Sequence, residues 1–224
     1  PYVTPPDPGA ASENSRRAVL ICQSFASYFE EQYVFRSPAI CNNSADSSSI
    51  VESFNKSSVQ LAEFARELYC IEVQNDSQYA AAYGLTALRD WSVVAGKSQI
   101  SPPNRAIDSA RLVSYVIGCA MGRYSLDSPG LIYAHAGNVA FDPGRFDKRF
   151  LADVDGIVPV TDESWFGDDA ASRVREFLRV MWDAAALDEN VAWLAESLGT
   201  KGSETPEEAI RRYLADKFYK DHLQ

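Results

Sequence analysis

Apolar residues recur at helical spacing along most of the chain. Between Ser15 and Phe35, Ala18, Ile21, Cys22, Phe25, Phe29 and Gln32–Tyr33 recur at helical spacing on one face, which predicts a helix. SPAICNNSADSSS at 37–49 reads as a loop. Ser49-Ile-Val-Glu52 is a capping box, in which each side chain satisfies an orphan N–H. The helix that it opens carries Val51, Phe54, Leu61, Phe64, Leu68 and Ile71, so the first two long helices suggest an antiparallel hairpin. A shorter helix is expected over 77–90. After the SPPN turn at 101–104, a helix over 105–121 carries Ile107, Leu112, Val113, Val116, Ile117 and Ala120. Gly118, Ala120 and Gly122 leave room for a close approach to its backbone. LIYA at 131–134 and GIVPV at 156–160 are strand candidates that could pair. Three helices close the chain. One runs from about Asp168 to Ala184, and one from Asp188 to a C′ glycine at Gly199. The last opens with Thr205-Pro-Glu-Glu208, with N-cap, Pro at N1 and Glu at N3 in place.

The expected fold class is therefore mainly α, with a small β-hairpin or short-strand element. Residues 1–14, opening PYVTPPDPGAAS, read as an extended linker. A helical hairpin region follows over 15–100, and a second mainly helical region over 101–224. The two are equally compatible with one continuous domain.

Composition narrows the function. The chain has 224 residues and is 46% hydrophobic, enough for a sizeable core. Its net charge of −10 repels nucleic acid and anionic membrane on average, so a DNA contact needs a local basic patch or a larger partner. The four cysteines show no CxxC and no neighbouring histidine, which argues against zinc. Cys22, Cys70 and Cys119 lie among apolar residues and read as buried, reduced thiols, a pattern that suits the cytoplasm. No apolar run approaches the roughly 20 residues of a membrane span, and no signal peptide is visible. The chain begins at Pro1, not Met, and reads as a piece of something longer.

Catalytic motifs are missing. There is no GxxxxGK[ST] loop, no GxSxG elbow and no HExxH. His135 reads as an ordinary histidine and His222 as part of a terminal tail. An Asn/Asp-Pro-Pro-Tyr/Phe turn, which would hold a flipped adenine, is absent, since SPPN reverses the order. No lysine has an acid two residues before it, as metal-dependent nucleases often do. Asp153 with Asp155, and Asp162, Glu163, Asp168 and Asp169, read as a solvated face and as helix-dipole partners rather than metal ligands.

One stretch is more specific. GCAMGRYSLD at 118–127, followed by Gly130-Leu131, resembles the GCMFGRYSLD signature of the BREX phage-defence methyltransferases, the PglX family. Downstream, Asp155-Gly-Ile-Val-Pro-Val is similar to the family's DGIIPL, and Trp165-Phe166-Gly-Asp-Asp169 to its YFEDD. Phe177-Leu178, Leu187-Asp-Glu-Asn190 and Phe218-Tyr-Lys-Asp-His222 are similar to EF(L/V)K, LEENL and FYKDH. The resemblance covers about 105–224. Before that it is confined to Tyr83-Gly84-Leu85.

This resemblance implies a parent that is an S-adenosylmethionine-dependent adenine-N6 DNA methyltransferase, with its catalytic core before the GRYSLD region. The present chain would be a non-catalytic piece after that core, holding no cofactor itself. It would serve target recognition or spacing, with DNA reached through the parent and with the core and other defence subunits as partners. Arg123, Tyr124, Arg145, Lys148 and Arg149 are the DNA-contact candidates. DPGRFDKRF at 142–150 interleaves basic and aromatic residues, as a phosphate track would. The competing reading for Arg123 and Tyr124 is structural, with Arg123 at the helix's last carbonyls, Asp127 pairing with it or capping the turn, and Tyr124 packed. The competing function is a protein-interaction or scaffolding domain, which the net charge of −10 favours.

Overall fold

The computed structural model describes residues 7–85, 100–132 and 149–223. Among them are eight helices: α1 Pro8–Ala26, α2 Ala39–Asn42, α3 Ile50–Ala82, α4 Arg105–Ala120, α5 Ala170–Met181, α6 Leu187–Leu198, α7 Pro206–Asp216 and α8 Phe218–His222. The mainly helical expectation holds. The strand element does not appear among the described residues, where the one β-type pairing is an isolated bridge from Ser125 to Ser128. Residues 156–160 join no ladder, and Gly156 stands in a bend at φ +72°. Pro159 has no N–H to give, and its carbonyl accepts from Ala170 N at 2.8 Å instead. Of the other candidate, residues 133 and 134 lie outside the described residues.

Several helix limits differ from the sequence reading. α1 begins inside the segment read as a linker. The Asp7 carboxylate accepts the Ala10 N–H at 2.9 Å, and Pro8 sits at the helix start, where a missing N–H costs nothing. α1 stops at Ala26 rather than Phe35, because Arg36 N donates to Ser27 O at 2.8 Å and folds 27–36 into a closed loop. Tyr33, expected on the apolar face, is 94% exposed. The loop at 37–49 contains α2, whose Ile40 is buried. The box at α3 is offset: Ser49 Oγ accepts from Glu52 N, but the Glu52 carboxylate reaches Ser48 N at 2.8 Å. α3 runs through to Ala82, so no separate helix starts at 77. Residues 86–90 of that expected helix lie outside the described residues.

The chain divides into two compact units. One comprises Pro1–Ala26 with Ser58–Pro103, around Ile21, Leu68, Ile71 and Ile100. Its helix segments run antiparallel, since Arg17 pairs with Glu67 while the earlier Asn14 bonds Gln74 and Asn75. Cys22 and Cys70 are exposed here, contrary to expectation, because each faces away from the adjacent buried Ile21 and Ile71. The other unit comprises Ser27–Ser57 with Asn104–Gln224.

In this larger unit α4 is the central element. Ten of its residues are buried, from Ser109 to Ala120, and it packs on α5, α6 and α8. Leu112, Val113, Val174, Phe177, Leu178 and Leu194 form the fully buried centre, each stabilising the fold by about 1.5–3 kcal/mol through burial. Local signals set the helix starts. Asn104 Oδ1 accepts from Ala106 and Ile107 N, Asp169 from Ser172 N, and Thr205 forms the complete box with Glu208. Gly199 ends α6 as expected. Asn190, fully buried on α6, accepts the Ile50 N–H at 2.9 Å and so caps α3 from a distance in sequence.

Candidate functional site

The end of α4 explains the GRYSLD sequence. Gly122 has φ +78°, the left-handed conformation that glycine adopts freely. It places Gly122 N on Cys119 O at 3.1 Å and Arg123 N on Gly118 O at 2.8 Å, the two bonds of a Schellman cap. Asp153 N takes the Ala120 carbonyl at 2.7 Å. The chain then turns back, and the Tyr124 ring lies over Gly118. A Cβ at Gly118 would come within 2.5 Å of that ring. Tyr124 stacks on Tyr115 with centroids 5.3 Å apart and meets Phe35 edge-on at 5.3 Å.

The polar atoms of this turn converge on one carboxylate, Glu30. Tyr124 Oη donates to its Oε1 at 2.7 Å, and Arg123 pairs with the same oxygen at 3.2 Å. Ser114 Oγ donates to Oε2 at 2.6 Å. Arg123 pairs with Glu30, in the loop before α2, a partner that the sequence reading did not name. Burial, then the bond to Glu30, push the Tyr124 hydroxyl's pKa up. Burial raises the neighbouring Cys119 thiol to about 12 and Cys41 well above its ordinary value, so neither is a nucleophile at neutral pH.

A cleft of about 520 Å³ opens beside this cluster, between Glu30, Glu31, Ile107, Arg111, Phe218 and His222. His222 is held in α8, with Nδ1 2.8 Å from Ser114 Oγ, rather than free in a tail. This geometry is not a nucleophile and its base. Ser114 has one proton, and Glu30 takes it, so His222 Nδ1 must be the donor in the second contact.

The other motif stretch, 151–169, is an irregular segment pinned from behind. The Leu151 carbonyl accepts from Arg173, whose guanidinium also lies over the buried Phe150 ring. Arg211 Nη1 reaches Thr161 Oγ1 at 3.3 Å, Glu163 O at 3.1 Å and Asp169 Oδ2 at 2.5 Å. Asp169 is fully buried. Burial alone would raise its pKa, but the Arg211 and Ser172 hydrogen bonds outweigh it and hold the carboxyl below the usual range. Sequence reading missed this role, although Asp169 stands at an N-cap position.

Of the five DNA-contact candidates, Tyr124 is buried at 3% exposure and Arg123 is partly exposed and paired. Arg149 is exposed, while Arg145 and Lys148 lie outside the described residues. Among the described residues no group of three or more His, Cys, Asp or Glu could hold a metal, and no helix is long and apolar enough to cross a membrane.

No family model matches the chain. Two curated proteins do. One is the adenine-specific methyltransferase BrxX of Escherichia coli O9:H4 (strain HS), 47% identical over 130 residues, covering 54% of this chain and 11% of that protein. The other is the adenine-specific methyltransferase PglX of Lacticaseibacillus casei (strain Zhang), 41% identical over 119 residues, covering 52% of this chain and 10% of that protein. The chain spans about a tenth of the length of these relatives, and over about half of its own length it is similar to adenine-specific methyltransferases of the BREX type.

Proposed function

We propose that this chain is a non-catalytic accessory segment of an S-adenosylmethionine-dependent adenine-N6 DNA methyltransferase, lying after the catalytic core and serving target recognition or spacing. The observation that carries this reading is the 47% identity to a stretch that makes up 11% of a methyltransferase. The missing adenine-binding turn supports it, since a piece carrying the chemistry would need to hold the flipped base. S-adenosylmethionine then belongs to the parent, as do DNA and the other defence subunits, and the expected compartment is the cytoplasm. Arg123 and Tyr124 serve the fold, because Glu30 engages both. Arg145, Lys148 and Arg149 are the residues through which the segment would touch DNA.

The net charge of −10 favours a second reading, a scaffold that contacts protein alone. Removing Arg145, Lys148 and Arg149 together in the full-length protein separates the two. If they track phosphates, DNA binding weakens across sequences, and the slope of log K against log salt flattens by about 0.9 for each phosphate no longer neutralised. An unchanged slope with normal affinity leaves the scaffold. Calorimetric binding of S-adenosylmethionine by the 224-residue chain alone would overturn its non-catalytic role.

A further inference from the structure

The segment that Arg173 and Arg211 pin presents large apolar side chains to solvent. Leu151 is 53% exposed, Val154 95%, Ile157 64%, Val160 45%, Trp165 66% and Phe166 50%. Single exposed apolar residues are ordinary, but this many in one short stretch mark a contact surface. The stretch is not loose. Asp153 N, the carbonyls of Leu151, Pro159, Thr161 and Glu163, and the Trp165 indole on the Glu163 carboxylate all have partners. Its backbone is held and Val158 packs on the core, while these six apolar groups are left uncovered, so ordering on contact would cost little entropy. Acids interleave with them at Asp153, Asp155, Asp162, Glu163 and Asp168. Such a surface repels nucleic acid and attracts a basic one.

We infer that residues 151–166 form an internal docking face of the longer polypeptide, seated against a basic and apolar protein surface that lies outside residues 1–224. This rests on the reading of the chain as a segment of a longer methyltransferase. About nine-tenths of each matched relative lies beyond the stretch that they share with this chain, so the face has a large body of polypeptide to meet. The sequence of alternating acids and apolar groups specifies the chemistry of what it meets.

Hydroxyl-radical footprinting of the full-length protein and of the 224-residue chain tests this. Oxidation of Trp165 and Phe166 should fall by roughly an order of magnitude in the full-length protein, because the core of a protein interface excludes water. Reversing Asp153 and Asp155 to Lys in the full-length protein should restore much of that labelling. Equal labelling in both proteins would overturn the inference. So would protection in the short chain that vanishes on dilution, which would identify a second copy as the occupant. Protection in the short chain that persists on dilution would place its own residues on the face, with the same consequence. Protection that charge reversal leaves intact would overturn the basic chemistry of the partner surface. A gene whose reading frame ends with this chain would sink the parent reading itself, and that is seen before any labelling.

Discussion

Two stretches resemble signature motifs of the BREX-type methyltransferases, and the fold turns most of their side chains in opposite directions. The first, 118–130, looks like a ligand-binding cluster in sequence, with an arginine, a tyrosine and an aspartate at a helix end. The fold spends it internally. Gly122 caps α4, Gly118 admits the Tyr124 ring, and Arg123 and Tyr124 share Glu30. The second, 151–169, looks like an ordinary strand and turn. Most of its large apolar side chains face outward, from Val154 at 95% exposure to Trp165 at 66%, while Val158 packs on the core and Asp169 is buried. A recognisable motif is therefore not the same as a contact surface. Chemically suggestive residues can be consumed by folding, while plain apolar ones remain available to a partner.

The largest test cuts the anchor between the second stretch and the core. Asp169 is fully buried, and the side chain of its partner Arg211 is 14% exposed. Removing one member of a buried pair leaves the other uncompensated, so Asp169→Ala should cost about 3–5 kcal/mol in urea unfolding. The sign with pH follows from the depressed carboxyl. The pair's stability is fully present above the unfolded-state value near 4 and is lost as pH falls through the lower folded value. Asp169→Ala should therefore also remove part of the acid limb of the stability profile. A variant as stable as the parent at pH 7 would mean that the outward segment is not held by this pair, and the contrast with 118–130 would weaken.

The next test attacks the inward stretch. At Gly118 a Cβ would sit 2.5 Å from the Tyr124 ring, which Tyr115 and Phe35 flank and cannot readily release. Gly118→Leu should overpack this site and lower stability by about 1–3 kcal/mol, measured by thermal melting. If it melts like the parent, Tyr124 is free to leave its place, and the structural reading of the motif fails.

What the sequence disclosed depended on the range of the interaction. Local signals were legible: the Thr205 box, the Gly199 stop and the Asn104 start all act within four residues. The structural reading of Tyr124 was within reach because a small-residue helix end invites a ring. Its partner was not, since Glu30 lies 94 residues earlier and nothing in either segment names the other. Asn190 on Ile50 N and Arg211 on Asp169 are long-range in the same way. The helix start at Pro8 was misread for a different reason. Proline-rich composition suggested a linker, although Asp7-Pro8 is also a cap followed by a helix start. Exposure of the 151–166 side chains was the least legible feature, because apolar residues with strand-like spacing ordinarily face a core.

The smallest expected effect is the one that most sharpens the contrast. Trp165 and Phe166 are large aromatic residues, the kind whose loss from a core costs about 3–5 kcal/mol. Here they are 66% and 50% exposed, and the hydrogen bond of Trp165 to Glu163 is local. Replacing both by serine in the 224-residue chain should change stability by no more than about 0.5 kcal/mol, as at other surface sites away from caps and pairs. Thermal melting of this variant beside Gly118→Leu compares the two motif stretches directly. A loss as large as that of Gly118→Leu would show that the two aromatics pack within this chain, and the two stretches would then differ in appearance but not in use. A near-silent double substitution leaves the two aromatics without a role in folding, as the proposed docking face requires.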